Sequence, residues 1–255
     1  MRMLNRLRHA LKARMGASPT SEFEISAGHK ILDDESLAER NGWRDMIVAE
    51  RQHRAYIPLL EQVHAGQPRL DFAVAAQAVG ATGLTSPFMI EIGCGSGYYN
   101  EALNALLDQP LRYLGLDRSE SMTSLARRVY PRVPFVTGDA CQLPLADDCC
   151  DISFNGTSLM HIADYVSAIA EGVRVSRDWC IFHSVPLMEK RSTTLLSKEA
   201  YGREVIEVIF NRSEIEKIFG EHGLAIEAVF ESFPYDVSAV MEEPTWTLTY
   251  VCRKK

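Results

Sequence analysis

Basic residues are in deficit in this chain, with 27 Lys and Arg against 34 Asp and Glu, a formal charge of -7 and a pI near 5.6. Proteins that grip a phosphate backbone carry a basic footprint, so no nucleic-acid partner is expected. C-x-x-C pairs are missing too. The six cysteines (Cys94, Cys141, Cys149, Cys150, Cys180 and Cys252) fall mostly in apolar or loop contexts, which points to neither a zinc site nor a disulfide framework. They read as thiols of a reducing compartment, and a cytoplasmic location is expected. No apolar run approaches the roughly 18 residues of a membrane span, and neither an internal repeat nor a low-complexity tract is visible.

What is present is a globular composition, 46% hydrophobic and 24% charged over 255 residues, enough for one large domain with elaborations or two small ones. The first 15 residues hold five basic side chains (Arg2, Arg6, Arg8, Lys12 and Arg14) and no acid, with Leu4, Leu7, Leu11 and Met15 at helical spacing. That pattern predicts a short basic amphipathic helix, with weak contact to an anionic membrane or a partner as one possible use. A polar, turn-forming stretch follows at 16–26, then apolar positions Ile47, Val48, Tyr56, Leu59, Leu60 and Val63 at three- and four-residue intervals, and a second helical run from Asp71 to Val79. The expected organisation is a basic arm at 1–19, a helical lead-in or cap at 20–84, and an α/β domain at 85–255.

From Pro87 onward short apolar runs alternate with helical patterns, as in a parallel sheet covered on both faces. The runs are FMIEI (88–92), RYLGLD (112–117), PFVTGD (134–139), CDISFN (150–155) and WCIFHS (179–184), and two later strands lie in LAIEAVFES and TWTLTYVC. Right-handed crossovers place ligands at the carboxyl ends of such strands. Glu91, Asp117 and Asp139 stand at or near the ends of the first three runs, and Gly93, Gly95 and Gly97 form a bare loop directly after the first. A dinucleotide requires G-x-G-x-x-G, and its sixth position here is Tyr98, so a nicotinamide-dependent oxidoreductase is disfavoured. A nucleoside carrying an amino-acid tail asks instead for a close backbone, an acid for the ribose, another for the exocyclic amine and another for the ammonium.

The segments EIGCGSGYY, GLDRSESM, GDACQLPLADDCCDISF and LMHIADYVSAIAEGVRV, in register over about residues 88–184, resemble the class I S-adenosylmethionine-dependent methyltransferases, particularly the small-molecule branch that includes the ubiquinone and menaquinone C-methyltransferases. The resemblance implies a Rossmann-like, mostly parallel seven-stranded sheet flanked by helices, with S-adenosylmethionine as cofactor. It places the glycine loop under the methionine moiety, Asp117 on the ribose, and Asp139 with Ala140 on the adenine. Arg118, Ser119 and Met122 line the adenosine pocket, and Glu91, Cys94 and Asn155 complete the implied set. Two positions depart from the pattern: Cys150 replaces an aromatic before the fourth strand's aspartate, and SRDW replaces Lys-Pro-Gly-Gly before the fifth strand. His161, just past the fourth strand, is the candidate base. His183, Ser184, Arg191, Tyr201 and Arg203, with Trp43 and Tyr56 from the lead-in, are candidates for the acceptor side, and the connection from Pro186 to Asn211 reads as a lid. The fourth strand is followed by NGTS rather than an Asn-Pro-Pro-Tyr-like run, and no metal cluster is evident. A small or medium acceptor methylated at oxygen, nitrogen or carbon is expected, with a non-catalytic cofactor-binding or scaffold protein as the other reading.

Overall fold

The computed structural model describes residues 27–32 and 42–255. The basic arm at 1–19 lies outside the described residues. Seven strands build the central sheet: β2 (Phe88–Ile92), β3 (Arg112–Asp117), β4 (Phe135–Thr137), β5 (Cys150–Gly156), β6 (Ser176–Met188), β9 (Leu224–Glu231) and β10 (Trp246–Lys254). Their spatial order is β4-β3-β2-β5-β6-β10-β9, with β10 antiparallel to both neighbours and the rest parallel. All seven segments expected from the apolar runs are strands, and the last two are the antiparallel edge pair.

Helices α1 (Met46–His64), α2 (Leu70–Ala81) and α3 (Tyr98–Leu106) cover one face. Tyr56, Leu60 and Val63 of α1, Phe72 and Ala75 of α2, and Tyr99 and Leu103 of α3 join Met89, Phe154 and Ile181 of the strands in one core. The lead-in helices therefore share the main core. α4 (Glu120–Val129) follows β3, while α5 (Tyr165–Val175) and α6 (Arg212–Glu221) follow β5 and the hairpin described next. Side chains hold their starts: Ser119 accepts from Met122 N, Asp164 from Ser167 N and Asn211 from Glu214 N, each satisfying a helix N–H that has no partner inside the helix.

Two elements differ from expectation. Ala27–Ile31, inside the stretch expected to be helical, is strand β1. The connection after the fifth strand, expected as an ordered insertion with no element assigned to it, is built of strands: β7 (Thr194–Ala200) and β8 (Arg203–Asn211) form a hairpin, to which β1 adds a third antiparallel strand. Its turn is Tyr201–Gly202, both with positive φ at 53° and 80°, the two-residue arrangement whose twist matches a hairpin. The hairpin is anchored to the main sheet because β6 outruns β5. β5 ends at Gly156, opposite His183, and β6 continues to Met188, where β8 pairs with Leu187 and Met188 on the side that β5 has left. The small sheet is thereby set over the carboxyl ends of the parallel strands.

Candidate active site

The glycine loop is folded around the tip of β3. Gly93 N and Cys94 N both donate to Leu116 O, at 2.7 and 2.9 Å. Asp117, the last residue of β3, accepts from Gly95 N through Oδ2 and from Ser119 N through Oδ1, each at 2.8 Å. Burial pushes its carboxyl above the usual carboxylate range, against the pull of those two N–H groups. Side chains have no room on the loop. A Cβ on Gly93, where φ is +78°, would sit 2.3 Å from Ser158 Cβ, and one on Gly95 would sit 2.7 Å from Gln52 Oε1. Only glycine accepts both the backbone conformation and the approach.

A cavity of about 510 Å³ opens over these strand tips. Gly93, Gly95, Asp117, Arg118, Ser119, Met122, Asp139 and Ala140 line it, as does His161, so the structure brings together most of the site residues expected from sequence. Arg118 and Asp139 face each other at 3.5 Å on an exposed rim. Four expected residues are set back from the wall. Glu91 is 1% exposed and lies beneath the loop, where one oxygen accepts from Tyr113 Oη and Oε1 has no partner. Burial drives its carboxyl well above the usual range. Cys94 and Asn155 are equally buried, with Asn155 Nδ2 also unpartnered. Gly97 caps α3 in the left-handed region, close against the Phe135 ring. Glu91, Cys94, Gly97 and Asn155, expected to contact a ligand, therefore do not line the cavity, and lie within or behind the loop. The cause for Glu91 is its place: it is the penultimate residue of β2, and the alternation of the strand turns it into the core beside Met89, whereas Asp117 is terminal and turns upward.

The far wall comes from three separate segments. Trp43 belongs to the 3-10 turn Gly42–Arg44, His161 to the 3-10 turn Leu159–His161, and Lys198, Ala200, Tyr201 and Ile206 to the hairpin. The rings of Trp43 and His161 are 4.8 Å apart. His161 Nδ1 lies 2.8 Å from Ile206 O. A carbonyl only accepts, so Nδ1 carries the proton and Nε2 is left as a bare lone pair. Burial, followed by the charge of Lys198, lowers the His161 pKa to about 4. Behind this wall Lys198 Nζ pairs with Glu207 Oε1 at 2.7 Å, and Oε2 accepts from Tyr235 Oη at 2.6 Å with His29 Nε2 at 3.2 Å. Burial would raise the Glu207 carboxyl, but Lys198 and its other partners outweigh that and hold it at about 2.

Other candidates go elsewhere. His183 and Ser184 are buried, bonded to each other and to Thr249 and Ser232. Arg191 pairs with Glu242 on the surface, Arg203 with Asp45 at 2.8 Å, and Tyr56 stacks on Tyr98 at 3.6 Å within the core. Sequence reasoning did not single out Gln52, Thr157, Lys198 or Ile206. Thr157 has a φ of +62° on the cavity wall, an uncommon conformation for a β-branched residue, and no local sequence signal marks it. Among the described residues no group of three or more His, Cys, Asp or Glu is placed to hold a metal ion, and no helix is long and apolar enough to cross a membrane.

The polar groups that converge here suit a nucleoside with an amino-acid tail. Acids stand at two strand tips, the glycine cradle lies between the tips and the far wall, and unpartnered polar atoms of Gln52, Glu91, Ser96 and Asn155 are buried in this region. Comparison with known proteins agrees. Residues 90–182 match the family model described as a methyltransferase domain. A protein of Mycolicibacterium smegmatis, named as a probable S-adenosylmethionine-dependent methyltransferase, is 33% identical over 94 residues, covering 37% of this chain and 35% of that one. A demethylmenaquinone methyltransferase of Renibacterium salmoninarum is 30% identical over 112 residues, covering 44% of this chain and 45% of the relative. The aligned part thus spans less than half the length of these relatives. The crystal structure of Burkholderia thailandensis 1,6-didemethyltoxoflavin-N1-methyltransferase, with 1,6-didemethyltoxoflavin and S-adenosylhomocysteine bound, shares the fold with a TM-score of 0.58 at 15% identity, over 89% of this chain and 95% of that one. Residues 90–182, a little over a third of the chain, thus match a methyltransferase domain, and the fold is shared with a solved methyltransferase.

Proposed function

We propose that the protein transfers the methyl group of S-adenosylmethionine to a small-molecule acceptor bound between the glycine loop and the β7–β8 hairpin. The observation that carries this reading is the single cavity in which Asp117 and Asp139 stand at one end and His161, Trp43 and Tyr201 at the other. In it, Asp117 holds the ribose hydroxyls with the lone pairs that Gly95 and Ser119 leave unused, Asp139 and the Ala140 backbone take the adenine edge, and Met122 packs on the purine. Gly93 and Gly95 admit the tail. Bound there, S-adenosylmethionine supplies a sulfonium methyl group open to in-line displacement, with a neutral thioether as leaving group.

The chain's contribution is chiefly placement. Holding two reactants collinear in a site closed to water is worth up to about 7–11 kcal/mol of the barrier, and the hairpin, the 42–44 turn and α1 form the walls of such an enclosure. His161 is the proton acceptor: Ile206 O fixes its tautomer, so that Nε2 is free to take a proton from an acceptor hydroxyl, amine or carbon acid. Trp43 and Tyr201, in edge-to-face contact with 6.0 Å between ring centroids, give the acceptor end an aromatic wall that favours a flat ring. The six free cysteines support a reducing, cytoplasmic setting.

The test is methyl transfer from labelled S-adenosylmethionine into a metabolite extract, with S-adenosylhomocysteine release measured in parallel. Labelled small molecules and matching S-adenosylhomocysteine are expected. A protein that binds S-adenosylhomocysteine in calorimetry yet labels nothing would instead be a cofactor-binding scaffold, and one that binds NAD and not S-adenosylhomocysteine would be neither.

A further inference from the structure

Gln52 leaves α1 toward the glycine loop, with its Oε1 nearest Gly95. The residue is 8% exposed, lines the cavity, and its Oε1 has no hydrogen-bond partner among the described residues. An unpaired amide oxygen in a buried place costs free energy that an apolar side chain of the same size does not. Nothing in the packing of α1 calls for that cost. The helix is fixed to the hairpin by neighbours instead: Arg51 Nη1 donates to Tyr201 O at 2.7 Å, and Asp45 Oδ2 accepts from Arg203 Nε at 2.8 Å.

Position decides what the oxygen is for. Asp117, Arg118, Met122 and Asp139 occupy the nucleoside end, and His161 with Lys198 the opposite wall. Between them, over Gly93 and Gly95, lies the space for the amino-acid tail, whose ammonium has three donors and no acceptor. Glu91 is below the loop and off the wall, so Gln52 offers the acceptor that approaches from above.

On the methyltransferase reading of the site, we propose that Gln52 is a positioning residue whose carboxamide oxygen receives the α-ammonium of the S-adenosylmethionine tail, so that α1 clamps the tail onto the glycine loop. Because Trp43, Arg51 and Asp45 belong to the same rigid segment, the clamp also sets the acceptor wall against the cofactor.

Calorimetric titration of the full chain with S-adenosylhomocysteine and with 5′-methylthioadenosine, the same nucleoside without the amino-acid tail, tests this. Gln52→Leu is expected to weaken S-adenosylhomocysteine about tenfold while leaving 5′-methylthioadenosine within about twofold. Gln52→Glu, which keeps an acceptor and adds charge, is expected to bind S-adenosylhomocysteine at least as well as the parent. Equal weakening of both ligands by Gln52→Leu would show a merely structural role and overturn the proposal. So would unchanged S-adenosylhomocysteine affinity. If the parent protein binds neither nucleoside, the methyltransferase reading falls first and takes the clamp with it, whereas binding of both with no Gln52 effect removes the clamp alone.

Discussion

Asp117→Asn changes the size of one side chain hardly at all, but it removes a charge and turns one acceptor oxygen into a donor. Both carboxylate oxygens are engaged by backbone, Oδ2 by Gly95 N and Oδ1 by Ser119 N. A carboxylate has about four lone-pair sites, so two are left to face a vicinal diol. An asparagine has one acceptor oxygen, and whichever way it turns, its NH2 meets one of the two backbone donors. That N–H loses its partner, at a cost of about 1–3 kcal/mol, and the diol loses a charge-assisted bond worth about 1.5–3 kcal/mol. Burial works the other way in the free protein. It already disfavours the Asp117 carboxylate, so a neutral side chain recovers part of the loop's loss. The expectation is a modest change in thermal stability together with a fall of roughly two orders of magnitude in S-adenosylhomocysteine affinity, about 2.7 kcal/mol. Calorimetric titration paired with a melting curve measures both. Affinity within about threefold of the parent would refute the ribose assignment, and a loss of affinity matched by loss of the fold would trace to the loop rather than to the ligand.

His161→Ala is expected to slow turnover by about 10²–10⁴ with S-adenosylhomocysteine affinity unchanged, and equal turnover would remove the proton-acceptor role. The same residue leaves a signature on stability. Its pKa is about 4 in the fold against an ordinary 6.5, as is that of buried His183. The unfolded chain thus binds more protons between those values, and stability rises with pH across that window and falls as pH drops from 6.5 toward 4. In His161→Ala the acid-side decline of the melting temperature should be shallower, retaining the His183 share, and an unchanged decline would contradict the assigned shift. Lys198→Met leaves the Glu207 carboxylate buried with Tyr235 and His29 alone, and it should cost about 3–5 kcal/mol of unfolding free energy in denaturant titration. Adding Glu207→Gln should restore much of it, and a Lys198→Met variant as stable as the parent would show that the pair contributes nothing.

The half of the cavity assigned above to the nucleoside was legible as strand-end residues because their placement is local. Gly93, Gly95, Asp117, Ser119 and Asp139 all sit at or within a few residues of a strand end, and the rule that open α/β sheets bind ligands at those ends converts a position in sequence into a position in space. The strands themselves could be read since burial on both faces leaves largely apolar runs such as FMIEI and CDISF. The acceptor half was not legible, for a different reason at each residue. In β7 and β8 the alternation is blurred by polar side chains that are nonetheless buried, with Ser197, Lys198 and Glu207 all inside. Their turn is Tyr-Gly, without the Asn or Asp that usually signals a two-residue hairpin. Lys198 and Glu207 compensate each other only because the register sets Leu196 opposite Glu207 and Lys198 opposite Val205, putting both on one face of the hairpin. Neither residue alone predicts its burial. Gln52 shows the same limit most sharply: helical spacing placed it on a helix, yet its meaning depends on Gly95, which α1 reaches only through the core it shares with α3 and β2. On the proposed reading, cofactor recognition is a property of strand tips and can be read along the chain, while acceptor recognition is a property of how three distant segments close over those tips.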